Sequence, residues 1–272
     1  MAPLLSEDLE AAVRAGRPAV LATAIAGGAV GAKLLVTAGD RPESGPTVRA
    51  DGWPDRALEA AVRRDATAAL TPAATGTRRY GREGRLDGDD HTVFFEAFAP
   101  PPRMIIVGAV DFSAALARVA KVLGFRVTVC DARPAFATTA RFPAADEVVV
   151  DWPDRHLAAV GAALGPRDAV CVLTHDAKFD VPAVVAALAT DVGYLGAMGS
   201  RRTTEDRARR LRDAGVDDAD LARLMAPIGL DLGARTPEET AVAICAEVIA
   251  HQTGRAVPSL RASDGPIHGL PG

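Results

Sequence analysis

The chain has 272 residues, 49% of them apolar, with a formal net charge of −4, three cysteines and only 4% aromatic residues. That length supports one large domain or two modest ones with proper cores, and an apolar fraction carried by Ala, Val and Leu suits helix-on-sheet packing better than an aromatic-rich β-sandwich. The acidic balance argues against a general nucleic-acid binder, which needs a broad basic surface, and Cys130, Cys171 and Cys245, each inside an apolar run, argue against a disulfide framework.

Met1 to Asp8 carries no basic segment and no long apolar run, so neither a signal peptide nor a membrane span is expected, and the cytoplasm is the expected compartment. Ser6 followed by Glu7, Asp8 and Glu10 reads as a capped helix start, ended by Gly16. Pro18 to Ala26 and Ala32 to Thr37 read as two strands of a loose hairpin, and 38–52 as turn-rich loop. Trp53-Pro54-Asp55 opens a helix through about Leu70; a polar stretch, Thr71 to Asp90, then leads to a strand at His91 to Phe98. Pro100, Pro101 and Pro102 interrupt any helix or inner strand, which places a boundary between a smaller N-terminal α+β domain (1–99) and a second domain (103–252).

Beyond the prolines the pattern alternates. Strands are expected at Met104 to Val107, Phe125 to Cys130, Glu147 to Val150, Ala169 to Leu173 and Val192 to Leu195. Between and after them come helices at Phe112 to Leu123, Pro153 to Leu164, Val181 to Ala189 and about Thr203 to Ala214. Continuous apolar strands alternating with helices predict an α/β, Rossmann-like, doubly wound parallel sheet whose ligands sit beyond the carboxyl ends of the strands. A last helix begins at Thr236-Pro237-Glu238-Glu239 with the residues of a capping box, and 253–272 reads as a flexible tail.

Three strand ends carry chemistry. The first runs into Gly108-Ala-Val-Asp111-Phe-Ser113, where a dinucleotide fingerprint would have Gly-x-Gly-x-x-Gly; only the first glycine is present, and Val110 stands where a pyrophosphate would approach. Asp131, at the end of the second strand, occupies the place of a ribose-binding acid. The fourth strand runs into Thr174-His175-Asp176, which puts an imidazole at the crevice rim and an acid that alternatively caps the next helix. The strongest signal is Gly196-Ala-Met-Gly199-Ser200-Arg201-Arg202: glycine amides, a helix N-terminus, a hydroxyl and two guanidinium groups make an anion site. Arg207, Arg209, Arg210 and Arg212 read as a solvated helix face, and Pro227 to Gly233, with Gly229 and Asp231, reads equally as a lid or as packing for the last helix.

With these residues in view, Arg103 to about Ala250 resembles the Rossmann domain of the XdhC/CoxI family, maturation factors for molybdenum hydroxylases such as xanthine dehydrogenase and carbon monoxide dehydrogenase. The motifs that carry the resemblance are 124–134, Arg141-Phe142-Pro143, Thr174-His175-Asp176, 194–202, Pro227 to Asp231 and Thr236 to Glu239. The resemblance implies a protein that binds molybdenum cofactor (molybdopterin, with or without an appended nucleotide), aids its sulfuration with a cysteine desulfurase, and delivers it to the apo-hydroxylase. The cofactor-binding set it suggests is Gly108, Asp111, Asp131, Arg133, His175, Asp176, Gly196, Gly199, Ser200, Arg201, Arg202, Gly229 and Asp231, with no catalytic residue, no metal ligand and a homodimer as a further expectation. The N-terminal segment keeps Gly31-Ala32-Lys33 but has no cysteine, so a family role for an N-terminal thiol does not carry over. An NAD(P)-dependent oxidoreductase and a partner-binding scaffold without ligand are the alternatives left open by the residues.

Overall fold

The structure is a computed structural model that describes residues 3–39, 44–81, 84–85 and 88–257. The chain divides between Pro100 and Pro101 into two compact units.

The first unit is built on an antiparallel sheet of five strands, β1 (Ala19–Ala26), β2 (Lys33–Thr37), β3 (Thr47–Asp51), β4 (Gly76–Tyr80) and β5 (His91–Phe98), in the order β3-β2-β1-β5-β4. Alternation along the central strands buries both faces. Val20, Ala22, Leu34 and Val36 meet Leu58, Val62 and Ala66 of helix α2 (Arg56–Leu70), whereas Ala19, Leu21 and Leu35 meet Leu5 and Ala12 of helix α1 (Pro3–Arg14). Asp55 caps α2 by accepting from the Ala57 amide at 2.7 Å. Ser6 lies inside α1, one turn beyond its start, and so is not its cap. Two strands, β3 and β4, occupy stretches that read as loop and polar connection. Both are edge strands with mostly exposed or half-exposed side chains, so backbone pairing rather than an apolar pattern defines them.

The second unit holds a parallel sheet of six strands: β6 (Arg103–Val107), β7 (Arg126–Cys130), β8 (Glu147–Val149), β9 (Ala169–Val172), β10 (Tyr194–Ala197) and β11 (Leu224–Met225), in the order β11-β10-β9-β6-β7-β8. This is the doubly wound Rossmann order, with the reversal between β6 and β9. Helices α3 (Asp111–Val122) and α8 (Pro237–Thr253) cover one face through Leu116, Ala120, Ile244 and Val248. Helices α4 (Pro153–Val160), α5 (Ala177–Leu188) and α6 (Arg201–Asp213) cover the other through Leu157, Val184, Ala187 and Leu211. A short helix α7 (Asp218–Leu221) and the two-residue β11 occupy a segment too short and polar to be read as either from sequence. Helix α5 starts a turn earlier than its apolar run suggests, because Asp176 caps it and Pro182 is accommodated inside. The capping box of α8 forms as Thr236 and Glu239 imply, and Gly254 ends that helix in the left-handed region. Of the segment read as a tail, residues 258–272 lie outside the described residues.

Candidate functional site

Because all six strands of the second unit run parallel, the loops that follow them gather along one edge of the sheet. At the reversal point, Gly108 has φ 106°, and a Cβ there would lie 2.9 Å from the Thr174 amide, so the β6 and β9 loops pack at a distance that only glycine permits. Ser113 Oγ, fully buried, donates back to the Gly108 carbonyl at 2.5 Å, closing the turn from within.

Asp131 completes this closure. Its side chain is buried, Oδ2 accepts from the Ala109 amide at 2.7 Å, and both oxygens accept from the Arg133 guanidinium at 2.9 and 2.7 Å, with the Arg133 amide a further donor to Oδ1. Burial alone would raise its pKa, but these bonds outweigh burial and hold the carboxyl below its ordinary range. The acid that stands where a ribose hydroxyl would bind is thus already engaged by the protein. Arg133 in turn lies 4.6 Å from the Phe136 ring centroid, and Arg141 lies 5.6 Å from the same ring. Arg141 extends over the turn to the Ala109 carbonyl and the Asp111 carboxylate, each at 3.4 Å. Across the reversal point His175 is exposed, and Asp176 accepts from the Lys178 amide as the α5 cap while pairing with Lys178 Nζ at 3.3 Å.

The loop after β10 is different. Ser200 caps α6 by accepting from the Thr203 amide at 3.1 Å, so the helix begins at Arg201, shortly after the carboxyl end of β10. Arg201 and Arg202 are exposed and have no ion-pair partner among the described residues. Behind them sits a residue that sequence reasoning misplaced. Arg207, read as part of a solvated face, is only 1% exposed; its Nε donates to Asp180 Oδ2 at 3.1 Å and its Nη2 to the Met198 carbonyl at 2.7 Å. The signal was its spacing of four from Leu211, which puts both on the buried face of α6. Arg207 Nη1, Asp180 Oδ1 and Thr204 Oγ1 are buried without a hydrogen-bond partner.

Packing places two further residues of the expected set. At Gly196 a Cβ would stand 2.5 Å from Ile228 and 2.8 Å from the Tyr194 hydroxyl, so this glycine makes room for neighbouring side chains. The segment at Gly229 is no free lid: the Ile228, Gly229 and Leu230 amides donate to Ala197 O, Glu247 Oε2 and Ala243 O at 3.1, 2.8 and 3.2 Å, tying it to β10 and α8. Asp231 is left exposed on that segment. Among the described residues no group of three His, Cys, Asp or Glu is placed to hold a metal ion, and no helix is long and apolar enough to cross a membrane.

The family model for the XdhC Rossmann domain matches residues 104–248, over half of the chain. The chain belongs to the XdhC family. It is 33% identical over 157 residues to a probable xanthine dehydrogenase subunit from Bacillus subtilis, covering 58% of this chain and 45% of that protein. It is 28% identical over 155 residues to the molybdenum cofactor insertion chaperone PaoD of Escherichia coli, covering 57% and 42%. The chain therefore spans less than half the length of these relatives. A crystal structure of a xanthine dehydrogenase from Bacillus halodurans aligns with TM-score 0.52 at 21% identity, covering 94% of this chain and 97% of that one, a likeness of fold.

Proposed function

We propose that this XdhC-family chain binds molybdenum cofactor and supports its sulfuration and its insertion into a molybdenum hydroxylase of the xanthine dehydrogenase or carbon monoxide dehydrogenase type. The observation that carries this reading is the loop after β10: two arginines without an ion-pair partner among the described residues, a capped helix N-terminus and a buried, unsatisfied guanidinium N–H lie within nine residues. That donor set suits the phosphate of the pterin cofactor. The metal needs no ligand set here, since the pterin carries it. The cofactor would supply redox chemistry to the hydroxylase, and the role of this chain is to hold the organic part and release it to the partner.

In this reading Gly199 and Ser200 present amides, Arg201 and Arg202 neutralise charge, and His175 contacts the ligand at the opposite rim. Asp131 acts through Arg133, which it orients beside Phe136. Its full set of internal hydrogen bonds, together with Val110, argues against a nicotinamide dinucleotide in the first turn. The apo-hydroxylase and a cysteine desulfurase are the partners this function requires, and PaoD, named an insertion chaperone, supports the class of role.

Co-expression with a hydroxylase tests the reading. The sulfurated cofactor content of the hydroxylase should fall when this chain is omitted or carries Arg201→Ala/Arg202→Ala. Equal content in all three cultures would end the proposal, as would tight binding of NAD(H) with turnover by the purified chain.

A further inference from the structure

Arg207 and Asp180 form a buried ion pair that the exposed features of the loop do not explain. Arg207 is directed at the underside of the loop: Nη2 holds the Met198 carbonyl, and Nη1 lies 3.6 Å from the point where a Cβ on Gly199 would stand. Gly199 has no positive φ that would demand glycine; a Cβ there would crowd Thr203, whose Cβ and Cγ2 each lie 3.2 Å from that point. Thr203 thus stands between Gly199 and the solvent path to Nη1, its hydroxyl 2.9 Å from Ser200 Oγ. An N–H buried without a partner is costly, and a protein retains one where something else satisfies it.

We infer that Arg207 Nη1 is the inner donor of a phosphoryl-binding site, reached over Gly199, with Asp180 holding the guanidinium in place and moderating its charge. A phosphoryl oxygen entering beside Gly199 takes up Nη1 when the Thr203 hydroxyl and methyl rotate aside, while its other oxygens meet the α6 amides and the exposed Arg201 and Arg202. The inner arginine fixes the position of the group, and the outer pair draws it in. The ligand class is a phosphomonoester or a nucleotide phosphate. The inference rests on the reading of this loop as the phosphate end of the cofactor site.

Titration of the full chain with inorganic phosphate and with pyrophosphate, followed by calorimetry and by thermal shift, gives the test. Gly199→Ala adds a methyl group that crowds Thr203 on the path to Nη1 and should weaken binding at least about ten-fold at some loss of Tm. Arg207→Lys should weaken it by a similar factor at some loss of Tm. Asp180→Asn separates a ligand role from a structural one: it should lower Tm yet tighten phosphate binding several-fold, because the guanidinium charge is no longer countered.

Unchanged binding in Gly199→Ala, or weaker binding in Asp180→Asn, would overturn the inference. Cofactor binding measured on the same variants keeps the two claims apart. If the chain binds cofactor equally with and without Gly199→Ala, the inner donor fails and the function stands; if it binds phosphate through Arg207 but no cofactor, the reverse holds. Binding of neither phosphate nor pyrophosphate overturns the inference outright.

Discussion

The turn after β6 and the loop after β10 share a plan, a parallel strand delivering a glycine to the start of a helix, but they differ in what is left unsatisfied. In the first turn, Asp131 engages the Ala109 amide and Arg133, Ser113 closes on Gly108, and Arg141 lies over the top. In the second, two arginines lack ion-pair partners among the described residues and a third keeps a buried N–H unpaired. A glycine at a strand end thus marks close packing as readily as it marks a ligand. Which polar groups remain free separates the two.

The largest expected effect tests the first half of that comparison. Asp131→Ala leaves the buried Ala109 amide without an acceptor and frees the partly exposed Arg133 guanidinium, and should cost about 1–3 kcal/mol of stability, read by denaturant unfolding. Phosphate affinity should be unchanged; a parallel loss of affinity would mean that the first turn also binds ligand. Arg201→Ala/Arg202→Ala tests the other half. It should weaken phosphate and cofactor binding at least about ten-fold while leaving Tm within about 2 °C, because both side chains are exposed. A large fall in Tm would make these arginines structural.

The pH dependence gives a smaller effect of known sign. Asp131 has a lowered pKa in the folded chain, so it binds its proton less readily there than when unfolded. Its contribution to stability is fully present above the unfolded value near 3.8 and is lost as pH falls through the folded value. Stability measured between pH 5 and pH 2 should therefore fall less steeply in Asp131→Asn than in the parent. The smallest effect is expected for Val110→Gly, which restores the second fingerprint glycine. It should change stability by no more than about 1 kcal/mol and should not create NAD(H) binding, since Asp131 stays engaged. Tight NAD(H) binding in that variant would show that Val110 alone blocks the turn.

Much of the second unit was legible in the sequence because its inner strands are short apolar runs and its caps are strong: Thr236 with Glu239, and Asp176. Ser200 was read as an anion ligand, and its observed place as the α6 cap sets that helix start two residues earlier than expected. The strands β3, β4 and β11 were hidden for one reason, that edge strands are fixed by partners distant in sequence and need no apolar pattern. At the site, Arg201 and Arg202 could be nominated from charge next to glycine. Arg207 could not be told from Arg209 and Arg210 by residue type, only by its phase with Leu211. At Gly196 the missing Cβ makes room for Ile228 and Tyr194, and sequence does not say whether such a glycine serves a neighbouring side chain or a ligand; at Gly229, with φ 97°, the two readings of the segment were equally legible.

The three thiols bear on the route that sulfur would take in the proposed function. Cys130, Cys171 and Cys245 are all buried, and burial pushes Cys130 and Cys245 up to about 12 and Cys171 well above its ordinary value. At neutral pH they are protonated and shielded, whereas accepting a persulfide sulfur calls for an accessible thiolate. In the folded chain none of them presents such a thiolate. In the proposed function, sulfur destined for the cofactor would then travel from its donor without a covalent stop on any of these three thiols.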